Sequence, residues 1–237
     1  MQCKMDTLIF VRLKLTTQED AYAMTARAKA NVETNRELML KVMVQGGLGV
    51  AATYFYLAIQ RENNQRRVRK LIGNSAWVAR AISAYMVADL PRAFRLGECK
   101  TVIHHLVTLG MAAAWLAKHA QTRRDLAQGT LFVKAGMLAI MTEVNTTCYH
   151  AMRAAKTNGD GKGARFYAAM TIATIPTFRV LNWLHALHLM YTYLKNDSNK
   201  KCQGSLCMLI GSFAIAAASS YYTPVFYFSA VRAFTHS

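Results

Sequence analysis

The chain has 237 residues, 53% hydrophobic and 17% charged, with three prolines and a formal net charge of +17. That is one domain's worth of chain. Its Lys and Arg residues sit in caps between long apolar runs and form no RNP, zinc-finger or helix-turn-helix pattern, which excludes the usual nucleic-acid modules. Nothing in the sequence supports a soluble enzyme, since P-loop, GxGxxG and GxSxG motifs are absent, and no sustained period-2 alternation suggests a membrane barrel.

A bilayer's hydrocarbon core of about 30 Å is crossed by a helix of roughly 20 apolar residues, and the apolar runs predict an all-α, multi-pass transmembrane bundle of about six spans. Residues 1–41 read as an extramembrane amphipathic segment, helical from about Thr17, and residues 42–237 as the transmembrane domain. The first span covers Val42–Ile59, with Gly46, Gly47 and Gly49 allowing close helix approach. The basic cluster RENNQRRVRK (61–70) follows. A second span, Leu71–Leu90, ends at Pro91; a third covers Thr101–Ala117; a fourth covers Thr130–Met152. After the turn NGDGKG (Asn158–Gly163), a fifth runs from Phe166 to Leu194 with a kink expected at Pro176. The last, Leu206–Phe234, follows the polar linker KNDSNKKCQG and has a break at Pro224, with Tyr221, Tyr222, Phe226, Tyr227 and Phe228 as an aromatic belt.

Five scattered cysteines, Cys3, Cys99, Cys148, Cys202 and Cys207, match neither a CxxC redox pair nor a zinc site and read as free thiols. MQCKMDTLIFVRLKL has no small-residue cleavage site, so targeting information is expected to be internal. Basic residues lie on both faces of the predicted bundle, with a small excess on the side of the termini. That side is therefore favoured for the negative potential. Basic caps beside a bilayer attract anionic head groups at about 1 kcal/mol per residue, which marks Arg61, Arg66, Arg67, Arg69, Lys70, Arg123 and Arg124 as lipid-binding candidates.

Ionisable side chains within apolar spans are costly and mark a functional interior. Asp89 and Glu143 each need a partner, for which Arg80, Lys134 and Arg179 are the candidates. With His185 and His188 these define an expected intramembrane polar network of Arg80, Asp89, Glu143, Arg179, His185 and His188. His104 and His105 open the third span. As neighbours they point about 100° apart and do not easily share one metal, but either has the chemistry of a general base or nucleophile. His185 and His188 share a helix face, yet seven histidines in all supply none of the HxxHH clusters of iron-binding hydroxylases. No metal or other cofactor is expected, beyond a bound phospholipid such as cardiolipin.

Four segments in order resemble the TLC-domain family, which includes ceramide synthases, translocon-associated membrane proteins and small TLC-domain proteins. They are YMVADL (Tyr85–Leu90), IHHLVTL (Ile103–Leu109), MTEVNTTCYHAMR (Met141–Arg153) and TFRVLNW (Thr177–Trp183). Together they cover about residues 75–195, the TLC-like core that the resemblance implies. Ceramide synthases carry a His-Asp pair and a further Ser-Asp after the double histidine, whereas this chain has Met141-Thr142-Glu143-Val144-Asn145. Glu143 and Thr146 match the small TLC-domain branch, with Thr147 in place of its proline.

Without the ceramide-synthase acidic motif, the expected function is non-catalytic. The chain reads as a lipid-binding accessory subunit of a mitochondrial inner-membrane complex, of the respiratory chain or ATP synthase. Its expected partners are anionic lipids and other subunits rather than nucleic acid. The alternatives are a lipid-metabolising acyl-transfer enzyme using His104 or His105 with Asp89 or Glu143, and a lipid sensor or transporter; the endoplasmic reticulum is the alternative location.

Overall fold

A computed structural model describes residues 34–196 and 223–235, without the side chains of 100, 118–124 and 196. Among the described residues every regular element is helical: α1 (Asn35–Arg61), α2 (Gln65–Arg95), α3 (Cys99–Arg124), α4 (Leu126–Met141), α5 (Glu143–Thr157), α6 (Gly161–Thr174), a π-helical segment (Ile175–Leu181), α7 (Asn182–Asn196) and α8 (223–235). The all-α class expected from the sequence is therefore observed. The helix expected from Thr17, the linker KNDSNKKCQG, residues 206–222 with Tyr221 and Tyr222, and Cys3, Cys202 and Cys207 lie outside the described residues.

Helix α1 packs against α2, α4 and α5. Leu38, Lys41, Gln45, Leu48, Ala52, Phe55 and Ile59 are buried, and this alternating spacing of three and four residues keeps one stripe turned inward. Met39, Met43, Val50, Tyr54 and Leu57 form the opposite stripe and are exposed, Met43 by 71% and Val50 by 69%. A helix apolar on both faces belongs in a protein core or in a membrane.

The crossing of α1 with α5 depends on glycine. A Cβ at Gly49 would lie 2.7 Å from Val144 Cγ2, and one at Gly46 would lie 3.3 Å from Thr147 Cγ2. Gly47, expected to act alike, faces open space.

Among the described residues one helix, Asn35–Arg61, is long and apolar enough to cross a membrane, and Thr101–Ala117 is a shorter apolar helix with the bounds expected for the third span. The fourth and fifth expected spans are each interrupted. Thr142 separates α4 from α5: its N–H and its hydroxyl both bond to the Ala139 carbonyl, at 3.3 and 2.7 Å, and Asn145 N–H reaches back three residues to the Thr142 carbonyl. This tight turn breaks the helix with neither Gly nor Pro. The fifth span is interrupted by the π segment, which begins at Ile175 and carries in its first turn Pro176, where a kink was expected.

Helix α2 differs from expectation in the other direction. It passes through Pro91 and ends at Arg95, one turn later than the sequence suggested. Pro91 is exposed, so its missing N–H leaves an orphan carbonyl on the outer face. The turn beyond it is held inside by buried Ala93 and by an Arg92–Asp89 ion pair.

Contacts between elements set their relative heights. Gln45 bonds to Tyr85 and Lys41 faces Asp89, so α2 runs antiparallel to α1. Gly46 faces Thr147 and Gly49 faces Val144, so α5 does so too. Asn158–Gly163 forms the expected turn between α5 and α6, with Gly159 at φ +72° and the Asp160 carboxylate capping Gly163 N–H at 2.9 Å.

Candidate functional site: a buried polar seam

The charged interior is built around Asp89. Its carboxylate accepts from Arg92 Nε at 2.5 Å and Nη2 at 2.9 Å, and meets His105 Nε2 at 2.8 Å. Lys41 Nζ of α1 lies 4.0 Å away. All four residues are more than nine-tenths buried. The i,i+3 spacing of Asp89 and Arg92 puts both on one face of α2, and the bidentate guanidinium–carboxylate geometry is the strong form of the contact. Arg92 extends further, to Glu98 Oε2 at 3.3 Å, and Arg95 pairs with Glu37 at the exposed end of the bundle.

A second group lies deeper, where α5 begins. Glu143 is 8% exposed and has Arg179, His105 and Lys41 as its ionisable neighbours. Its Oε2 has no hydrogen-bond partner among the described residues. Arg179, on the π segment, donates from Nε to Asn145 Oδ1 at 3.1 Å and from Nη2 to Thr146 Oγ1 at 2.5 Å. Its guanidinium also stacks over the Phe226 ring of α8 at 4.5 Å.

Asn145 resolves a backbone problem that Pro176 creates. Ile175 N–H bonds to the Ile172 carbonyl, and Pro176 has no N–H, so the Thr171 carbonyl loses its normal helical donors. Asn145 Nδ2 donates to that carbonyl at 2.9 Å and to Thr174 Oγ1 at 2.8 Å. The Thr174 hydroxyl in turn gives its single proton to the Met170 carbonyl at 2.7 Å. Asn145 is fully buried, and its amide binds one helix's break to another helix's start.

Of the residues expected from sequence, the structure brings together Asp89, His105, Glu143 and Arg179. His104 stands beside His105, ring centroids 5.8 Å apart, with its Nδ1 unpartnered among the described residues. Arg80, His185 and His188 are exposed and take no part in the cluster; the nearest described ring to His185 is Tyr56, at 6.1 Å. Lys134, a candidate partner for the carboxylates, instead donates to Gln60 at 2.5 Å. Arg61, Arg66, Arg67, Arg69 and Lys70 are exposed around the α1–α2 turn, where Asn64 caps α2 through the Arg66 and Arg67 amides. Arg123 and Arg124 end α3, and their side chains lie outside the described residues. Cys99 and Cys148 are free thiols.

Sequence reading missed Lys41, Arg92 and Asn145. Lys41 fell in the expected extramembrane segment and Arg92 lay beyond the expected helix end, although the Asp89-x-x-Arg92 spacing is itself a signal for an ion pair on one helix face. No group of three or more His, Cys, Asp or Glu able to hold a metal ion occurs among the described residues. No family model matches the chain, and no curated protein or solved structure matches it.

Proposed function

We propose that this all-α chain is a multi-pass membrane protein with a TLC-like core, serving as a non-catalytic, lipid-contacting accessory subunit of a mitochondrial inner-membrane complex of the respiratory chain or ATP synthase. The observation that carries this reading is a cluster of charged side chains inside the bundle together with large apolar side chains on its outside. Lys41, Asp89, Arg92, His105 and Glu143 are inside, whereas Met43, Val50, Tyr54, Ile103, Leu106 and Phe166 are outside. Water-facing proteins rarely expose contiguous apolar surface of this kind, and intramembrane charges characteristically turn toward the bundle interior and pair there. Asp89 is occupied by Arg92 and His105, which favours a structural role over acyl chemistry. The exposed Arg61, Arg66, Arg67, Arg69 and Lys70 sit at one end of α1, where anionic head groups such as cardiolipin's would meet them.

Gentle detergent extraction followed by native gel and mass analysis tests the assignment. A subunit migrates with partners at a mass well above its own, and migration alone would defeat the reading. A second reading, a lipid-metabolising acyl-transfer enzyme, is favoured by one observation: His104 Nδ1, His105 Nδ1 and Glu143 Oε2 have no hydrogen-bond partner among the described residues. His104→Ala and His105→Ala with membrane-lipid profiling separates the two, since only the enzyme predicts a changed profile.

A further inference from the structure

The polar interior occupies one half of the bundle. Its outer end is the Glu37–Arg95 pair and partly exposed Glu98. From there it continues through Arg92, Asp89 and His105 to Glu143. Because Gly49 faces Val144, Glu143 stands level with about residue 50 of α1. At 1.5 Å per residue, the seam runs about 20 Å along a helix about 40 Å long. Beyond Glu143 the interior changes character. Ala52, Phe55, Ile59, Ile72, Val78, Phe132, Val133 and Met190 fill it. Among the described residues the polar groups buried in that packing are Ser75, whose hydroxyl bonds back to the Ile72 carbonyl, the Tyr193 hydroxyl and the indole N–H groups of Trp115 and Trp183, each a single polar atom on an otherwise apolar or aromatic side chain.

Unsatisfied polar atoms mark the seam along its length. Gln45 Oε1 on α1, His104 Nδ1, His105 Nδ1 and Thr108 Oγ1 on α3, and Glu143 Oε2 and His150 Nδ1 on α5 are each buried without a described hydrogen-bond partner. Buried polar atoms of this kind are satisfied by internal water when two to four converge.

The geometry points to a one-sided path for water and protons that ends at Glu143, so that this carboxyl exchanges its proton with a single aqueous compartment. That compartment is the one facing Asn35, Arg95 and the Asn158–Gly163 turn. The inference rests on the membrane reading above. The groups that act on Glu143 are Arg179 on the π segment, His105 from α3, Lys41 from α1 and Thr146 on its own helix. Further along the seam, Lys41, Arg153, Arg92 and Asp89 surround His150, Gln45 bonds to Tyr85, and His104 stands beside His105. In the relay, His105 keeps its Nε2 proton on the Asp89 carboxylate, takes a proton from water at Nδ1 and releases that same proton, through water, to the Glu143 carboxylate. The imidazole returns to its starting tautomer, so no net charge is left on it.

The test uses the full chain in liposomes, with the pH of each side set separately. The probe is dicyclohexylcarbodiimide, which adds a protonated carboxyl's O–H across one C=N bond. The adduct rearranges to a stable N-acylurea without a leaving group. The mass of the Glu143 peptide reports the label, Glu143→Gln is the blank, and tryptic cleavage at Lys156 and Lys162 identifies the side bearing the turn. Labelling is expected to change several-fold with pH on the turn's side and to ignore the opposite side. His105→Gln is expected to slow the response to a pH jump without moving its endpoint. Labelling that follows the opposite side, both sides or neither overturns the path, and this wild-type measurement decides even if the variant does not fold. Release of the chain from liposomes by alkaline carbonate defeats the membrane reading instead. An embedded chain with pH-indifferent labelling defeats the path alone.

Discussion

Gly46, Gly47 and Gly49 lie within one turn of α1 and differ in what an added methyl group would meet. At Gly49 it would come within 2.7 Å of Val144 Cγ2 and 3.2 Å of the Val144 backbone nitrogen. Carbon atoms pack at about 3.5–4.0 Å, so α1 and α5 must separate to admit it. At Gly46 the nearest atom is Thr147 Cγ2 at 3.3 Å, and at Gly47 nothing lies within 4 Å. Alanine in place of a helical glycine gains about 1 kcal/mol from propensity, while overpacking costs roughly 1–3 kcal/mol. Gly47→Ala is therefore expected to stabilise, Gly46→Ala to be near neutral and Gly49→Ala to destabilise relative to Gly47→Ala by the full overpacking cost. At about 2–4 °C per kcal/mol for a chain of this size, the extremes differ by roughly 2–12 °C in Tm. Thermal unfolding in detergent micelles, followed by the near-UV dichroism of Trp77, Trp115 and Trp183, measures the order. If Gly49→Ala proves as stable as Gly47→Ala, the α1–α5 crossing is not where the structure places it.

Arg92→Met leaves Asp89 short of its bidentate partner and is expected to cost about 3–5 kcal/mol, with part of the loss recovered in Asp89→Asn/Arg92→Met; the same melting assay reads both. Asn145→Leu strands the Thr171 carbonyl as well as Arg179 Nε, and a loss of roughly 1–3 kcal/mol for each stranded buried group is expected. Adding Pro176→Ala, which restores a backbone donor, is expected to reduce that loss, and additive effects of the two changes would refute the assigned role. Replacing Arg66, Arg67, Arg69 and Lys70 by Gln is expected to weaken retention on cardiolipin-containing vesicles relative to neutral ones, by about 1 kcal/mol per residue at low salt. Co-flotation across a salt series checks this, and a salt-independent difference would exclude the electrostatic explanation.

Features governed by local chemistry were legible in the sequence. The Asn158–Gly163 turn needed a residue at positive φ and a capping carboxylate, and Gly159 and Asp160 supply them. Thr101–Ala117 contains no Asp, Glu, Lys or Arg and is flanked by Lys100 and Lys118, so its limits follow from composition alone. Asp89, His105, Glu143 and Arg179 announced themselves as polar residues in apolar runs. The break at Thr142 was not legible, because threonine is tolerated within helices and only tertiary packing selects the tight turn there. Arg92 was hidden by Pro91: helices normally stop before proline, and the continuation is held by the Arg92–Asp89 pair and by buried Ala93. His185 and His188 show the opposite error. Shared spacing put them on one face, but that face points outward, and periodicity does not say which way a face turns.

The exchange between Asn145 and the Thr171 carbonyl also has a consequence for sequence variation. Pro176 removes a donor from one helix and Asn145 returns it from another, so neither residue is free to drift alone. Loss of the proline makes the amide dispensable at that carbonyl, whereas loss of the amide leaves the proline as a liability. Positions 145 and 176 are therefore expected to covary among relatives of this chain, as a pair whose residues need never touch through their side chains.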